Sequence, residues 1–239
     1  MTEIEYKKSF ELFLKRTDEK GVILKFIRSR HFLNRNIEFL DIGSGKGSLA
    51  LSISPHVRNT TIIEPNSEFV RKSIPRKMIT VINKKWEHTK LTHNFDFILM
   101  AYVFTYFKPK DRSSLIAKAY KHLKPQGRLL ILSIDSQKGS WRGIHSLFYK
   151  LMSLRHRSSD DALTSLLSGY NPYHTKIITT VSAYNVDEML RILWFDFGEY
   201  PMQFKKYNEE LVGFLKRHRD RRGKITLKMV HNAFIITKK

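Results

Sequence analysis

The sequence predicts an α/β protein, a largely parallel sheet wound with helices on both faces. Three observations carry that prediction. Short apolar runs, of the kind found in strands covered on both sides, alternate with stretches at helical spacing from residue 37 to residue 134. The first run, residues 37–42, ends in the glycine turn Gly43-Ser44-Gly45-Lys46-Gly47, with a helical start at Ser48-Leu49-Ala50-Leu51. The second, residues 60–64, ends on an acid, Glu64, about twenty residues beyond the glycines, where a doubly wound sheet places a carboxylate at the end of its second strand.

Two amphipathic helices precede the sheet. Tyr6, Phe10, Phe13 and Leu14 recur at helical spacing among charged residues. Thr17-Asp18-Glu19-Lys20-Gly21 breaks the pattern, and Val22, Ile23, Phe26 and Ile27 resume it. Residues 1–35 therefore read as an N-terminal helical cap. After the glycine turn a helix over residues 47–53 is closed by Pro55. Pro65 stops the second strand, and Asn66 or Ser67 can cap a helix over residues 68–73. A third strand over residues 78–83 leads into Trp86-Glu87, and a fourth over residues 95–102 carries on into Val103-Phe104-Thr105-Tyr106-Phe107. A helix over residues 112–123 and the turn Lys124-Pro125-Gln126-Gly127 lead to a fifth strand, residues 128–134.

Residues 136–180 differ. Trp141, Ile144, Leu147, Phe148 and Leu151 suggest a short helix. Ser158-Ser159-Asp160-Asp161 can cap another over residues 162–167, and the whole stretch reads as a lid over the strand ends. Asn185 caps a helix over residues 186–193, Phe195-Asp196-Phe197-Gly198-Glu199-Tyr200 begins a strand, residues 209–217 are helical, and residues 229–237 form the last strand. The organisation expected is one domain over residues 1–239: cap 1–35, core 36–135, lid 136–180 and the rest of the sheet 181–239.

The chain has no cysteine, which excludes disulfides and thiolate metal sites. Met1-Thr2-Glu3-Ile4-Glu5 is acidic and unlike a signal peptide, and no apolar run suits a membrane span, so the expected location is cytoplasmic and the expected state a monomer. The net charge of +21 argues for attraction to polyanions. Its densest cluster, Lys216-Arg217-His218-Arg219-Asp220-Arg221-Arg222-Gly223-Lys224, lacks an aromatic residue to stack on a base, so nucleic-acid binding is possible but not favoured.

Glycine turns of this kind serve three ligand classes. A triphosphate site needs Ser or Thr after its lysine, and Lys46 is followed by Gly47. A dinucleotide site needs a glycine where Ser48 stands. What remains is an acid followed by GxGxG, here Asp41-Ile42-Gly43-Ser44-Gly45-Lys46-Gly47. Trp86 lies just past a strand end, where it can pack in the core or flank a purine.

That stretch resembles motif I of the Rossmann-like class I S-adenosylmethionine (SAM) methyltransferases. Glu64, Trp86-Glu87, Phe95-Asp96-Phe97-Ile98 and His122-Leu123-Lys124-Pro125-Gln126-Gly127-Arg128 extend the resemblance over about 100 residues. It implies a seven-stranded sheet with the last strand antiparallel and SAM as cofactor. It also implies a cofactor site drawn from Asp41, Gly43, Ser44, Gly45, Gly47, Glu64, Pro65, Trp86, Glu87 and Ala101.

A narrower resemblance, to the histamine N-methyltransferases, is carried by Tyr6-Lys7-Lys8-Ser9-Phe10-Glu11-Leu12-Phe13-Leu14 ahead of Glu19, by Glu64-Pro65-Asn66-Ser67-Glu68, by Tyr106, and by Gly139-Ser140-Trp141. It implies a small-molecule acceptor whose ammonium is held by Glu19 in a pocket lined by Tyr102, Tyr106, Trp141, His145 and Asn232. Tyr102 replaces the family's glutamine, His145 its second lid tryptophan, and Asn232 is two residues out of register with its asparagine. Methyl transfer from a sulfonium needs positioning and exclusion of water rather than a nucleophile or a metal, so neither is expected. The alternative reading is an RNA-directed methyltransferase or a SAM-dependent RNA-binding protein, which the charge favours.

Overall fold

The computed structural model describes residues 2–68, 78–154 and 162–239. The expected helix over residues 68–73 and the Ser158-Ser159-Asp160-Asp161 cap lie outside the described residues, except for the entry turn, where Asn66 Oδ1 accepts from the Glu68 N–H at 2.9 Å.

Seven strands form one sheet: β1 (Glu38–Ile42), β2 (Asn59–Ile63), β3 (Ile79–Ile82), β4 (Phe95–Ala101), β5 (Leu123–Ile134), β6 (Tyr173–Ala183) and β7 (Ile225–Thr237), in the order β3-β2-β1-β4-β5-β7-β6. β1 pairs in parallel with β2 and β4, β2 with β3, and β4 with β5. β7 runs antiparallel to β5, with Leu130 opposite Ile235 and Ser133 opposite Asn232. This is the expected Rossmann-like arrangement. The strand order reverses between β1 and β4, where the carboxyl ends of an open sheet leave a crevice for a ligand.

The helices are α1 (Glu3–Arg16), α2 (Glu19–Ser29), α3 (Ser48–Ile53), α4 (Arg112–Lys121), α5 (Ser140–Leu151), α6 (Leu163–Leu167), α7 (Val186–Phe197), α8 (Pro201–Lys206) and α9 (Asn208–Lys216). The chain divides into two compact units, one of Lys20–Ile134, Ser159–Ile177 and His231–Lys239, the other of Met1–Glu19, Asp135–Ser158 and Ile178–Val230.

The first unit shows strand alternation directly. Leu40, Ile42, Ile98, Met100, Leu129 and Ile131 pack with Leu115, Ile116 and Ala119 of α4. Phe39, Phe97, Leu99, Leu130 and Leu132 turn the other way, onto Ile23 and Ile27 of α2 and Ala50 and Ile53 of α3. Side chains with period two on strands buried on both faces produce two cores from one sheet.

In the second unit, Phe13, Trp141, Ile144, Phe148, Met189, Leu193, Phe197 and Leu211 share one core. Thr2 and Glu5 close a capping box on α1, and Asn185 caps α7 by accepting from the Glu188 N–H at 2.9 Å. The two helices are tied by Arg16 Nη2, 2.8 Å from Glu188 Oε1.

Three expectations are corrected here. Phe195-Asp196-Phe197 does not begin a strand. The apolar positions Met189, Ile192, Leu193 and Phe197 keep helical spacing, so α7 runs on to Phe197 and Gly198 caps it. The sixth strand is instead Tyr173–Ala183, inside the stretch taken as a lid. Its inward residues Ile177, Thr179, Val181 and Ala183 alternate with more exposed ones, as on the edge strand that β6 is. Finally, β4 stops at Ala101. Tyr102 adopts φ 57° and a short 3₁₀ turn, Phe104–Tyr106, follows.

Candidate functional site

The glycine turn leaves β1 at the reversal of strand order. Gly43, Gly45 and Gly47 have φ 73°, 54° and 70°, a region where a side chain is strained. A Cβ on Gly43 would collide with Val103, whereas around the position of a Gly45 Cβ there is open space. The turn is fastened to β2: the Gly43 N–H donates to Ile63 O at 2.8 Å, and the Gly45 N–H to Glu64 Oε2 at 2.8 Å. Glu64 Oε1 accepts from the Asn66 N–H at 2.9 Å, and the Glu64 carbonyl from Asn83 Nδ2 at 2.8 Å. Each carboxylate oxygen has a second lone pair, so Glu64 can hold the turn and still accept from a ligand's hydroxyls.

Two further features suit a ligand with a cationic end and hydrogen-bonding groups. Ser44 Oγ is buried without a hydrogen-bond partner among the described residues, a state that costs free energy until something bonds it. Asp41, 3 % exposed, has its carboxyl pushed up to about 7 by burial and then by the nearby charge of Glu64. A bound cation would return it to the charged form. These residues fit SAM, whose ammonium, sulfonium and ribose need that set of groups.

The other expected cofactor residues separate. Pro65 and Glu87 are exposed, and Ala101 is half-buried at the end of β4. Trp86 packs in the core of its unit. It is 2 % exposed, its indole N–H donates to Leu115 O at 3.2 Å, and Lys118 Nζ sits 4.2 Å from its ring centroid.

The expected acceptor residues fall in both units. In the unit of the glycine turn, Tyr106 is 84 % exposed, and Tyr102 Oη lies 2.8 Å from His231 Nδ1. They do not share a helix face, because the segment carrying them is not α-helical. Asn232 lies on β7. Alternation along β7 sends it to the face opposite His231, where its Oδ1 accepts from His174 Nε2 at 3.0 Å. His231, fully buried, is the residue that sequence reasoning missed; its signal was a histidine in an apolar strand next to the residue chosen.

In the other unit, Trp141 is in the core and His145 is held at both ring nitrogens, Nδ1 by Trp141 O and Nε2 by Asp196 Oδ2, each at 2.8 Å. His145 thereby ties α5 to α7. Glu19 is the first residue of α2 and half-buried. Burial, then the neighbouring Asp18, pushes its carboxyl up to about 7. Among the described residues it has no ion-pair partner.

The methyltransferase domain family matches residues 16–188, well over half of the chain. The chain belongs to this family. Three curated relatives lie within the same chemistry. An uncharacterized methyltransferase of Staphylococcus carnosus is 28% identical over 101 residues, 41% of this chain and 49% of that protein. The ubiquinone/menaquinone biosynthesis C-methyltransferase of Rickettsia felis is 22% identical over 201 residues, 77% of each. The histamine N-methyltransferase of Danio rerio is 25% identical over 181 residues, 61% of this chain and 60% of that enzyme. The chain thus spans about half the length of the first of these and under two thirds of the third. Solved methyltransferase-fold structures are similar at lower identity. A Bacillus halodurans protein aligns with TM-score 0.62 at 12% identity over 90% of this chain and 98% of its own. The N-methyltransferase NodS of Bradyrhizobium japonicum, in complex with S-adenosyl-L-homocysteine (SAH), aligns with TM-score 0.53 at 12% identity over 91% and 85%.

Proposed function

We propose that this methyltransferase uses SAM to methylate a nitrogen of a small basic acceptor. The cofactor is held by the glycine turn, Asp41, Ser44 and Glu64; when bound, it supplies a methyl group already activated for transfer. What the chain must add is orientation and a dry environment.

The observation that carries the acceptor class is Glu19, a carboxylate raised to about 7 with no ion-pair partner among the described residues. An ammonium is the ligand that restores its charge, and a buried ion pair of this kind is favoured only when the partner arrives. An acceptor with a cationic end and a second, neutral nitrogen would keep a free lone pair for the methyl, since an imidazole is largely neutral at pH 7 while an alkylamine is charged. The likeness to a histamine N-methyltransferase supports this reading.

A second reading, methylation at carbon, is supported by the relative that matches 77% of both chains. The test is transfer of labelled methyl from SAM to histamine, tyramine, imidazole, a hydroquinone and RNA. Label in an amine or imidazole is the expected result. Label only in the hydroquinone selects the carbon reading, and label only in RNA returns the polyanion alternative suggested by the +21 charge.

A further inference from the structure

We infer that Tyr102 and His231 act together as the proton acceptor for the methylated group. The inference rests on the methyltransferase reading and deepens it.

The placement comes first. Tyr102 follows the last residue of β4, on the strand paired with β1, whose own end runs into the glycine turn. Its neighbour Val103 lies directly against Gly43. The phenol therefore belongs to the carboxyl-end region where this sheet receives its ligand.

The backbone comes second. Tyr102 has φ 57°, uncommon for a bulky residue, yet its N–H still donates to Leu132 O at 2.9 Å. The hydrogen-bond ladder is kept while the side chain is turned away from the direction that an extended residue would give it. Strain retained at a strand end next to a ligand turn is the pattern of a positioned functional group.

The partner comes third. Tyr102 Oη is 2.8 Å from Nδ1 of His231, which is fully buried in β7. The relay requires the tautomer in which the phenol donates and Nδ1 accepts, with the ring proton on Nε2.

The chemistry needs such a pair. A neutral nitrogen that takes a methyl becomes cationic, and the group then sheds one N–H proton, which in an imidazole is the one on the other ring nitrogen. That proton passes to Tyr102 Oη as the original phenolic proton passes to His231 Nδ1. One N–H bond breaks, one O–H is exchanged and one N–H forms on the imidazole. Once the product has left, Nδ1 hands its proton back to the Tyr102 oxygen, whose own proton passes to water at the half-buried phenol. His145, whose two nitrogens already face a carbonyl and a carboxylate, does not offer this function.

The test has a spectroscopic and a kinetic arm, both on the full chain. With SAH added, ¹⁵N NMR of the histidine rings should show one Nδ1 as an unprotonated, hydrogen-bonded acceptor, and Tyr102→Phe should move that signal towards the free-imidazole position. An unchanged signal overturns the pair whatever the acceptor proves to be. With histamine or tyramine, Tyr102→Phe and His231→Asn should each lower kcat by about 10²–10⁴-fold while SAM affinity is kept. The double variant should be no slower than the slower single one, because the two residues serve one transfer. Single effects under twofold, or effects that multiply, overturn the relay. Tyr102→Phe preserves the ring, so the test survives a folding defect in His231→Asn. Absence of transfer to either amine, with the NMR shift present, overturns the amine class and leaves the hydrogen-bonded pair standing.

Discussion

The Gly45 N–H donates to Glu64 Oε2 at 2.8 Å, which joins the turn after β1 to the residue that ends β2. One carboxylate thus shapes the turn, and the proposed function also assigns it to the cofactor. Glu64→Ala removes both roles. SAM binding should weaken by about 1.5–3 kcal/mol, the range for a hydrogen bond to a charged group. Calorimetry with SAM measures it, and wild-type affinity in the variant would reduce Glu64 to a structural clamp.

Gly45→Val should abolish SAM binding and leave the fold intact. The Cβ position meets nothing within 4 Å, so the branched side chain enters open space, where the proposed function puts the cofactor. The φ of 54° adds strain of about 1–2 kcal/mol, to be read from thermal unfolding. Retained SAM affinity would remove the glycine turn from the site.

Asp41 carries a sign that can be worked out. Its carboxyl is raised from 3.8 to about 7, so the native state holds this proton over a range in which the unfolded chain has lost it. Stability associated with the group is therefore greatest below pH 4 and falls as pH rises from about 4 to 7. Asp41→Asn removes that penalty. The variant should match wild type near pH 4 and exceed it above pH 7, by a margin on the order of 2–4 kcal/mol. Urea unfolding at the two pH values is the measurement; equal differences at both would disprove the shift. SAM should bind with release of a proton near pH 6.5, detectable by calorimetry in buffers of different ionisation enthalpy.

Glu19→Gln keeps the shape of the side chain and removes its charge. Turnover of a cationic acceptor should fall about tenfold or more in kcat/KM, while SAM affinity is unchanged. In wild type, acceptor affinity should rise with pH through about 7 as Glu19 loses its proton, and the variant should lack that rise. Equal kcat/KM in the two proteins would end the amine-holding role.

Much of the fold was readable because its signals are local. The run into Gly43, the glycines at alternate positions, Glu64 and the Asn185 cap each depend on neighbours within a few residues, and the structure keeps all of them. The sixth strand was legible in part. The β-branched residues of Tyr173–Ala183 are a strand signal, but its exposed polar positions resemble a loop, and at Phe195-Asp196-Phe197 aromatic β-propensity competed with the helical period that won.

What the tertiary structure alone decided is which distant residues meet and in what environment. The placing of β7 between β5 and β6 brings His231 to Tyr102, 129 positions earlier, and turns Asn232 to the opposite face. Burial is the larger cause that raises Asp41 and Glu19 far from the usual carboxylate range, and burial cannot be read from the residues beside them, although Asp18 next to Glu19 adds to its shift. Periodicity and turn chemistry belong to a short stretch of chain and can be read from it. Strand order, the facing of a side chain across a sheet, and desolvation arise only when remote segments pack, and these determine where protons and ligands go.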